Sequence, residues 1–274
     1  MKLVSFSAAD GRLRPGALLD DKSVVDLSSY FPDALAVIAA GLKSAPAGSA
    51  FPAEQVRLHA PLANPPRVFA IGLNYRDHAA ESGMAIPTTP VVFFKLTTAI
   101  IGPGEAIVLP KNSTEPDYEA EFAFVIGKGG YRIPASAWRE NVYGYTMVND
   151  VSARDVQFAT SQWSLSKSFP TFCPLGPAIV TADEIADPHE LAIGLSIDGE
   201  VLQESNTREL IFKIPELIEY LSSITPLLPG DIVSTGTPYG VGLGRTPKRW
   251  LKPGETVTVT VEGLGALTNP VVAE

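Results

Sequence analysis

Apolar positions recur along this chain mainly at a spacing of two, in short runs bounded by glycine and proline. "RVFAIG" (67–72), "PVVFFK" (90–95), "EAEFAFVIG" (119–127), "YGYTMVND" (143–150), "GPAIVT" (176–181) and "DIVSTGT" (231–237) read as strands. So do "LAIGLSIDGEVLQ" (191–203) and "ETVTVTVEGLGALTNPVV" (255–272), the former with a hairpin signal at Asp198-Gly199. Helical spacing is rare. "DALAVIAAGL" predicts a short helix ending near Gly41. "IPELIEYLSSIT" (214–225) places Ile214, Leu217, Ile218, Leu221 and Ile224 on one face. Residues 2–6 and 16–26 give two more short strands, and Pro65-Pro66 interrupts any regular element. The pattern predicts a small N-terminal α+β region over 1–64 and a body over 65–274. The fold class is mixed α/β, mainly β, with a closed or rolled β-core.

Composition narrows the function. A formal net charge of −9 argues against a nucleic-acid binder, which needs a basic face. It leaves room for a locally positive pocket that takes a small anion. No apolar run is long enough to span a membrane, and "MKLVSFSAADGRLRPG" lacks the apolar stretch of a leader. With Cys173 as the sole cysteine, no intrachain disulfide forms, which fits a reducing, cytoplasmic compartment.

The chemistry concentrates in "DYEAEFAFVI" (117–126). Glu119 and Glu121 are i, i+2 on a strand, so they share a face with Cα atoms roughly 6–7 Å apart. On a solvated strand such a pair is commonplace. Here Ala120, Phe122, Phe124 and Ile126 on one phase and Ala123 and Val125 on the other predict burial of both faces. Buried carboxylates need partners or a cation. Asp150 closes another apolar strand and supplies a third acid. Three carboxylates without a nearby histidine or cysteine form a hard-oxygen set that suits Mg²⁺ or Mn²⁺, with Ca²⁺ as a further option.

Five motifs together carry a family resemblance: "IGLNYRDHAAESG" (71–83), "DYEAEFAFVIG" (117–127), "NDVSARDVQ" (149–157), "KSFPTFCPLGP" (167–177) and "DIVSTGTPYGVG" (231–242). In this order they resemble the fumarylacetoacetate hydrolase family over about residues 65–274. The resemblance implies a mixed β-roll fold, a homodimer, and a divalent metal held by Glu119, Glu121 and Asp150. It also implies that His78 and Glu81 form a general-base pair, which their i, i+3 spacing permits on a short helix capped by Asp77 and closed by Gly83. The segment from Gly83 to Pro90 reads as a lid.

By the same resemblance Lys167 is the pocket lysine. Thr237 is a candidate for holding a substrate carboxylate, and Arg154 and Gln157 are further pocket candidates. The alternative for Arg154 is an ion pair with Asp155. Lys95 could support the site, but a structural role is the stronger reading for it. Many family members have Gly or Ala before the lysine and Asp three residues after it; this chain has Ser166 and Pro170. "GVGLGR" lacks the Lys-Ser/Thr of a phosphate loop, and Cys173 has no evident base.

The leading expectation is a metal-dependent hydrolase that cleaves a C–C bond of an acylpyruvate-like 2,4-dioxo acid through a pyruvate enolate. The alternative is oxaloacetate decarboxylation or 2-oxo-diacid isomerisation on the same site. A non-catalytic metal-stabilised binding protein is a third reading, from another class.

Overall fold

The computed structural model describes residues 1–274. Its main sheet follows the strand order Ala50–Pro52, Ser23–Asp26, Leu13–Leu19, Lys2–Ser7, Cys173–Thr181, Val142–Asn149, Ala120–Ile126, Ile232–Ser234, Val68–Gly72, Val91–Lys95. Residues 1–64 are joined to the body by this sheet, since Leu3 lies opposite Ile179 across an antiparallel pair. A second sheet of five strands runs Glu200–Asn206, Ala192–Ile197, Thr256–Val261, Gly265–Ala273, Ile107–Leu109.

Strand Ala120–Ile126 lies at the centre and every residue in it is buried. Phe122, Phe124 and Ile126 enter the larger core with Ile193, Leu195, Val257 and Val259 of the second sheet. Ala123 and Val125 enter another core with Leu3, Val37 and Ile38. Both faces of the strand are therefore covered, as its apolar phases predict. The two glutamates sit where this double burial begins.

Register brings the third acid to them. Ala120 pairs with Asn149 and Glu121 with Val148. The next residue, Asp150, donates its N–H to the Glu119 carbonyl at 2.9 Å. On the other side, Ile232–Ser234 pairs with Ala120–Ile126 in antiparallel fashion and with Val68–Gly72 in parallel fashion. The two parallel strands end together, so the loops carrying Thr237 and His78 emerge beside the glutamates.

Local chemistry explains the helices. Asp33 caps Ala34–Ala39 by accepting from the Ala36 N–H at 2.8 Å. The Asp198-Gly199 turn has positive φ at both residues (50° and 85°), as a two-residue hairpin of matching twist requires. Helix Ile214–Ile224 buries Ile214, Leu217, Ile218 and Leu221, but Ile224 is 65% exposed. Thr225 turns extended there, so the final residue leaves the apolar face. Asp77 is not the cap of helix Arg76–Glu81; Tyr75 holds that position. The Asp77 carboxylate instead accepts from the His78 N–H at 2.7 Å and from the Ser205 hydroxyl at 2.5 Å. Gly83, at φ +64°, follows the helix end.

Asn74 fixes where this helix starts. Its amide donates to the Phe212 carbonyl at 3.1 Å and the Thr235 carbonyl at 2.8 Å, and its oxygen accepts from the Phe212 N–H at 2.8 Å. Asn74→Leu leaves these buried backbone groups without partners, each costing about 1–3 kcal/mol. The expected result is a urea midpoint lowered by at least about 2 kcal/mol of unfolding free energy. An unchanged midpoint would show that the three bonds do not anchor the loop.

Candidate active site

Seven ionisable side chains meet at the end of the central strand: Asp117, Glu119, Glu121, Asp150, Lys95, Arg154 and Lys167, all buried. Lys167 lies between two acids. Its ammonium donates to Glu119 Oε2 at 2.5 Å and to Asp150 Oδ2 at 2.8 Å. Arg154 donates to Glu119 Oε1 at 2.5 Å, to Asp117 Oδ2 at 2.8 Å and to Gln157 Oε1 at 2.9 Å. Lys95 donates to Asp150 Oδ1 at 2.5 Å and also to the Lys167 carbonyl. One alternative drawn from sequence fails here. Arg154 does not pair with Asp155, which is taken up by Ser113 and Thr114. Lys95 belongs to the charge cluster itself.

The acids are not equivalent. Burial alone would raise the Glu119 carboxyl, but Arg154 and Lys167 outweigh it and hold the group well below the usual carboxylate range. Glu121 goes the other way. Burial, then the charges of Asp150 and Glu119, push its carboxyl well above that range. Its polar contacts are the Ser234 hydroxyl at 2.5 Å and the Gly236 N–H at 3.0 Å, with no cation in direct contact. Burial would lower the Lys167 ammonium, but Asp150 and Glu119 raise it, so it stays charged.

One oxygen each from Glu119, Glu121 and Asp150 lies within 4.8 Å of the others. An all-carboxylate set of this size suits a hard divalent cation. The Glu121 carboxyl, which has neighbouring negative charge and no cation of its own, is the observation that fits the group best.

Beside these acids is a cavity of about 150 Å³, whose walls include His78, Glu119, Glu121, Arg154, Gln157, Lys167 and Thr237. Asp150 lies behind the wall. His78 Nδ1 is 3.1 Å from Glu81 Oε2, which leaves Nε2 uncommitted. Glu81 Oε1 accepts from the Gly240 N–H at 2.9 Å. The nine residues singled out from sequence lie together here: seven line the cavity, Glu81 contacts His78, and Asp150 contacts Lys167 and completes the three-acid set.

Sequence reasoning missed the frame. Asp117 orients Arg154 and is itself held by the N–H groups of Gly242 (2.7 Å) and Leu243 (3.0 Å). The loop set aside as a failed phosphate motif therefore holds carboxylates. Its glycines leave space: a Cβ on Gly244 would lie 2.5 Å from Glu81 Cδ, and one on Gly242 would lie 1.9 Å from the Arg249 carbonyl oxygen and 2.6 Å from Asp117 Oδ1. Cys173 is wholly buried and its thiol is pushed up to about 12, foremost by burial, so it is no nucleophile.

Comparison with known proteins agrees with this geometry. Residues 67–272 match the model of the fumarylacetoacetate (FAA) hydrolase C-terminal family. The chain is 42% identical over 290 residues to a mitochondrial oxaloacetate tautomerase of Xenopus laevis, covering 99% of this chain and 90% of that protein. Among solved structures it resembles a 5-carboxymethyl-2-hydroxymuconate delta-isomerase from Mycobacterium smegmatis (38% identity, TM-score 0.85, all of both chains). It also resembles a fumarylacetoacetate hydrolase from Exiguobacterium antarcticum (34% identity, TM-score 0.90, all of both chains). The chain belongs to the fumarylacetoacetate hydrolase family. It is an enzyme of that superfamily, with an acidic triad consistent with a divalent metal.

The Glu121 shift sets a pH test. In the folded, metal-free protein the neutral carboxyl is favoured, while in the unfolded chain it ionises at the ordinary value. Its contribution to stability is full below that ordinary value and is lost as pH rises toward the folded value. A metal needs the ionised form and displaces the proton. The expected outcome is that added Mg²⁺ raises Tm more at about pH 8 than at about pH 5, with proton release on binding. Glu121→Gln should remove most of this pH dependence. An equal Mg²⁺ effect at both pH values would contradict the assignment of Glu121.

Proposed function

We propose that this chain is a divalent-metal-dependent proton-transfer enzyme acting on small 2-oxo diacids, with oxaloacetate enol–keto tautomerisation as its reaction. The observation that carries the reading is the commitment of the cavity's cations. Lys167 is held as an ammonium by Glu119 and Asp150, and Arg154 by Glu119 and Asp117. His78 Nε2 is left as the ring nitrogen free to exchange a proton with a ligand. One proton-transfer group is enough for a tautomerisation.

Glu119, Glu121 and Asp150 would hold the metal, which when bound supplies Lewis acidity toward the 2-oxo acid oxygens. The residues do the rest. Lys167 and Arg154 give a fixed positive field that offsets charge on the enol oxygen as its proton leaves. His78, as imidazolium, delivers the Nε2 proton to C3. The C=C pair forms the new C–H bond, the O–H pair becomes the C=O bond, and the enol proton returns the imidazole to its charged form. Glu81 holds Nδ1–H throughout and stabilises the ring whenever it is charged.

The relatives named tautomerase and isomerase support this reading over the C–C hydrolase expected first from sequence. The cavity supports it too. About 150 Å³ is small beside the ~300–1,000 Å³ of pockets for drug-sized ligands, and suits a four-carbon acid. Acylpyruvate hydrolysis is the second reading, because a His–Glu pair also activates water. The homodimer remains part of the proposal through the family resemblance.

The test follows the ultraviolet absorbance of enol-oxaloacetate as it decays, against acetylpyruvate cleavage and CO₂ release, with Mg²⁺ present. Tautomerisation should dominate. Rapid acetylpyruvate cleavage with no acceleration of enol decay would reverse the order of the readings. His78→Ala should slow tautomerisation by about 10²–10⁴, and Glu81→Gln by less. Gly244→Ala should behave like Glu81→Gln, because the added methyl displaces the Glu81 carboxylate while the fold persists. Wild-type rates in Gly244→Ala would show that Glu81 does not depend on this loop.

A further inference from the structure

We infer that Gln203 is a positioning residue whose carboxamide commits the Thr237 hydroxyl to donating a hydrogen bond into the cavity, toward a substrate carboxylate. The inference deepens the 2-oxo diacid reading and rests on it.

Gln203 lies on strand Glu200–Asn206 of the second sheet and is wholly buried. Its side chain spans the gap between the two halves of the site. The amide oxygen accepts from the Ala120 N–H at 2.9 Å, and Ala120 sits between Glu119 and Glu121. A backbone N–H only donates, so this end of the side chain must be oxygen. The other end donates to Thr237 Oγ1 at 2.9 Å and to the Pro238 carbonyl at 2.9 Å. A carbonyl only accepts, so this end must be nitrogen. The flipped amide would set N–H against N–H at Ala120 and oxygen against oxygen at Pro238. Two backbone groups therefore fix the amide orientation independently.

The consequence falls on Thr237. Its oxygen accepts from Gln203, and no protein acceptor takes its proton. The residue is 5% exposed and lines the cavity. A buried hydroxyl proton without a protein partner needs one from the cavity's contents. The walls carry Lys167 and Arg154 beside Glu119 and Glu121, and a divalent cation on the three acids would leave this cluster net positive, so the acceptor that belongs there is an anion. With the 2-oxo acid end at the three-acid cluster, the second carboxylate of a diacid is the group left for Thr237. A hydroxyl free to rotate would serve a donor or an acceptor equally; one held by Gln203 selects an acceptor.

A merely structural staple between Ala120 and Pro238 makes different predictions. The probes are oxaloacetate and pyruvate, which share the 2-oxo acid end and differ in the second carboxylate. Binding is measured by calorimetry on the full chain loaded with Mg²⁺. Wild type should prefer oxaloacetate. Gln203→Glu presents an acceptor to Thr237 and turns its hydroxyl away from the cavity. That variant and Thr237→Val should each weaken oxaloacetate by about tenfold or more. Pyruvate affinity should stay within about twofold, and Thr237→Ser should retain the preference. The double variant should bind oxaloacetate no more weakly than Thr237→Val alone, because the two act through one hydroxyl. If the buried glutamate prevents folding, Gln203→Met is used; it should erode the preference only while Thr237 is present.

Equal weakening of both acids, or an undiminished Gln203 effect in the Thr237→Val background, would make Gln203 a staple and overturn the inference. Failure of wild type to prefer oxaloacetate would overturn it as well. A preference that depends on Gln203 and Thr237 in a protein that does not accelerate enol decay would leave this inference standing and remove the tautomerase assignment.

Discussion

The ammonium of Lys167, shared between Glu119 and Asp150, is the interaction on which the rest of this site depends. Neither acid tolerates burial alone, and neither does the lysine. Together they satisfy one another, and Arg154 and Lys95 complete the set from either side. Such a cluster is weak evidence for stability, because ion pairs seldom recover their full desolvation cost. Its value here is orientation. Glu119 and Asp150 are tied to fixed cations and Glu121 to the Ser234 hydroxyl and the Gly236 N–H, so the donor set is in place before any ligand arrives.

Orientation is carried outward by backbone groups. Asp117 holds Arg154 and is itself gripped by two N–H groups of the 242–243 turn. Glu81 holds His78 and is gripped by the Gly240 N–H. Gln203 ties the strand between the two glutamates to Thr237. One glycine-rich segment, 236–244, thus touches Glu121, Glu81 and Asp117 at once. Glycine is required there because the backbone itself is the ligand of the carboxylates, and a Cβ on Gly242 or Gly244 would occupy their place.

This explains which parts were legible in the sequence. The central strand was, because its two apolar phases state that both faces are covered. The three acids were, because hard oxygen donors in a buried setting have few uses. The hairpin and the helices Ala34–Ala39 and Ile214–Ile224 followed from turn chemistry and period, apart from Ile224, whose fate depends on where the last turn unwinds. What lay hidden depends on contacts between residues far apart in the chain. Lys95 and Asp150 are 55 positions apart, and Asp117 and Gly242 are 125 apart. Nothing local to "GVGLGR" says that its N–H groups face a carboxylate instead of a phosphate. Asp77 misled because it stands at a helix start, yet its better partner, the Ser205 hydroxyl, lies on another sheet.

Charge balance joins these parts to function. Four carboxyl groups face three cations, and the fourth acid, Glu121, is the one pushed toward its neutral form by burial and its neighbours. With Glu121 protonated the cluster is neutral, a condition that a buried site can sustain. Exchanging that proton for a divalent cation turns the cluster net positive by one charge. A dianionic diacid is repelled by the ionised, metal-free cluster and attracted by the loaded one. The protein's overall negative charge does not oppose this, since the field inside a narrow, buried cavity is set by its own walls. Affinity for a small dianion and affinity for the metal are thus two expressions of one arrangement: one acid too many for the cations that surround it.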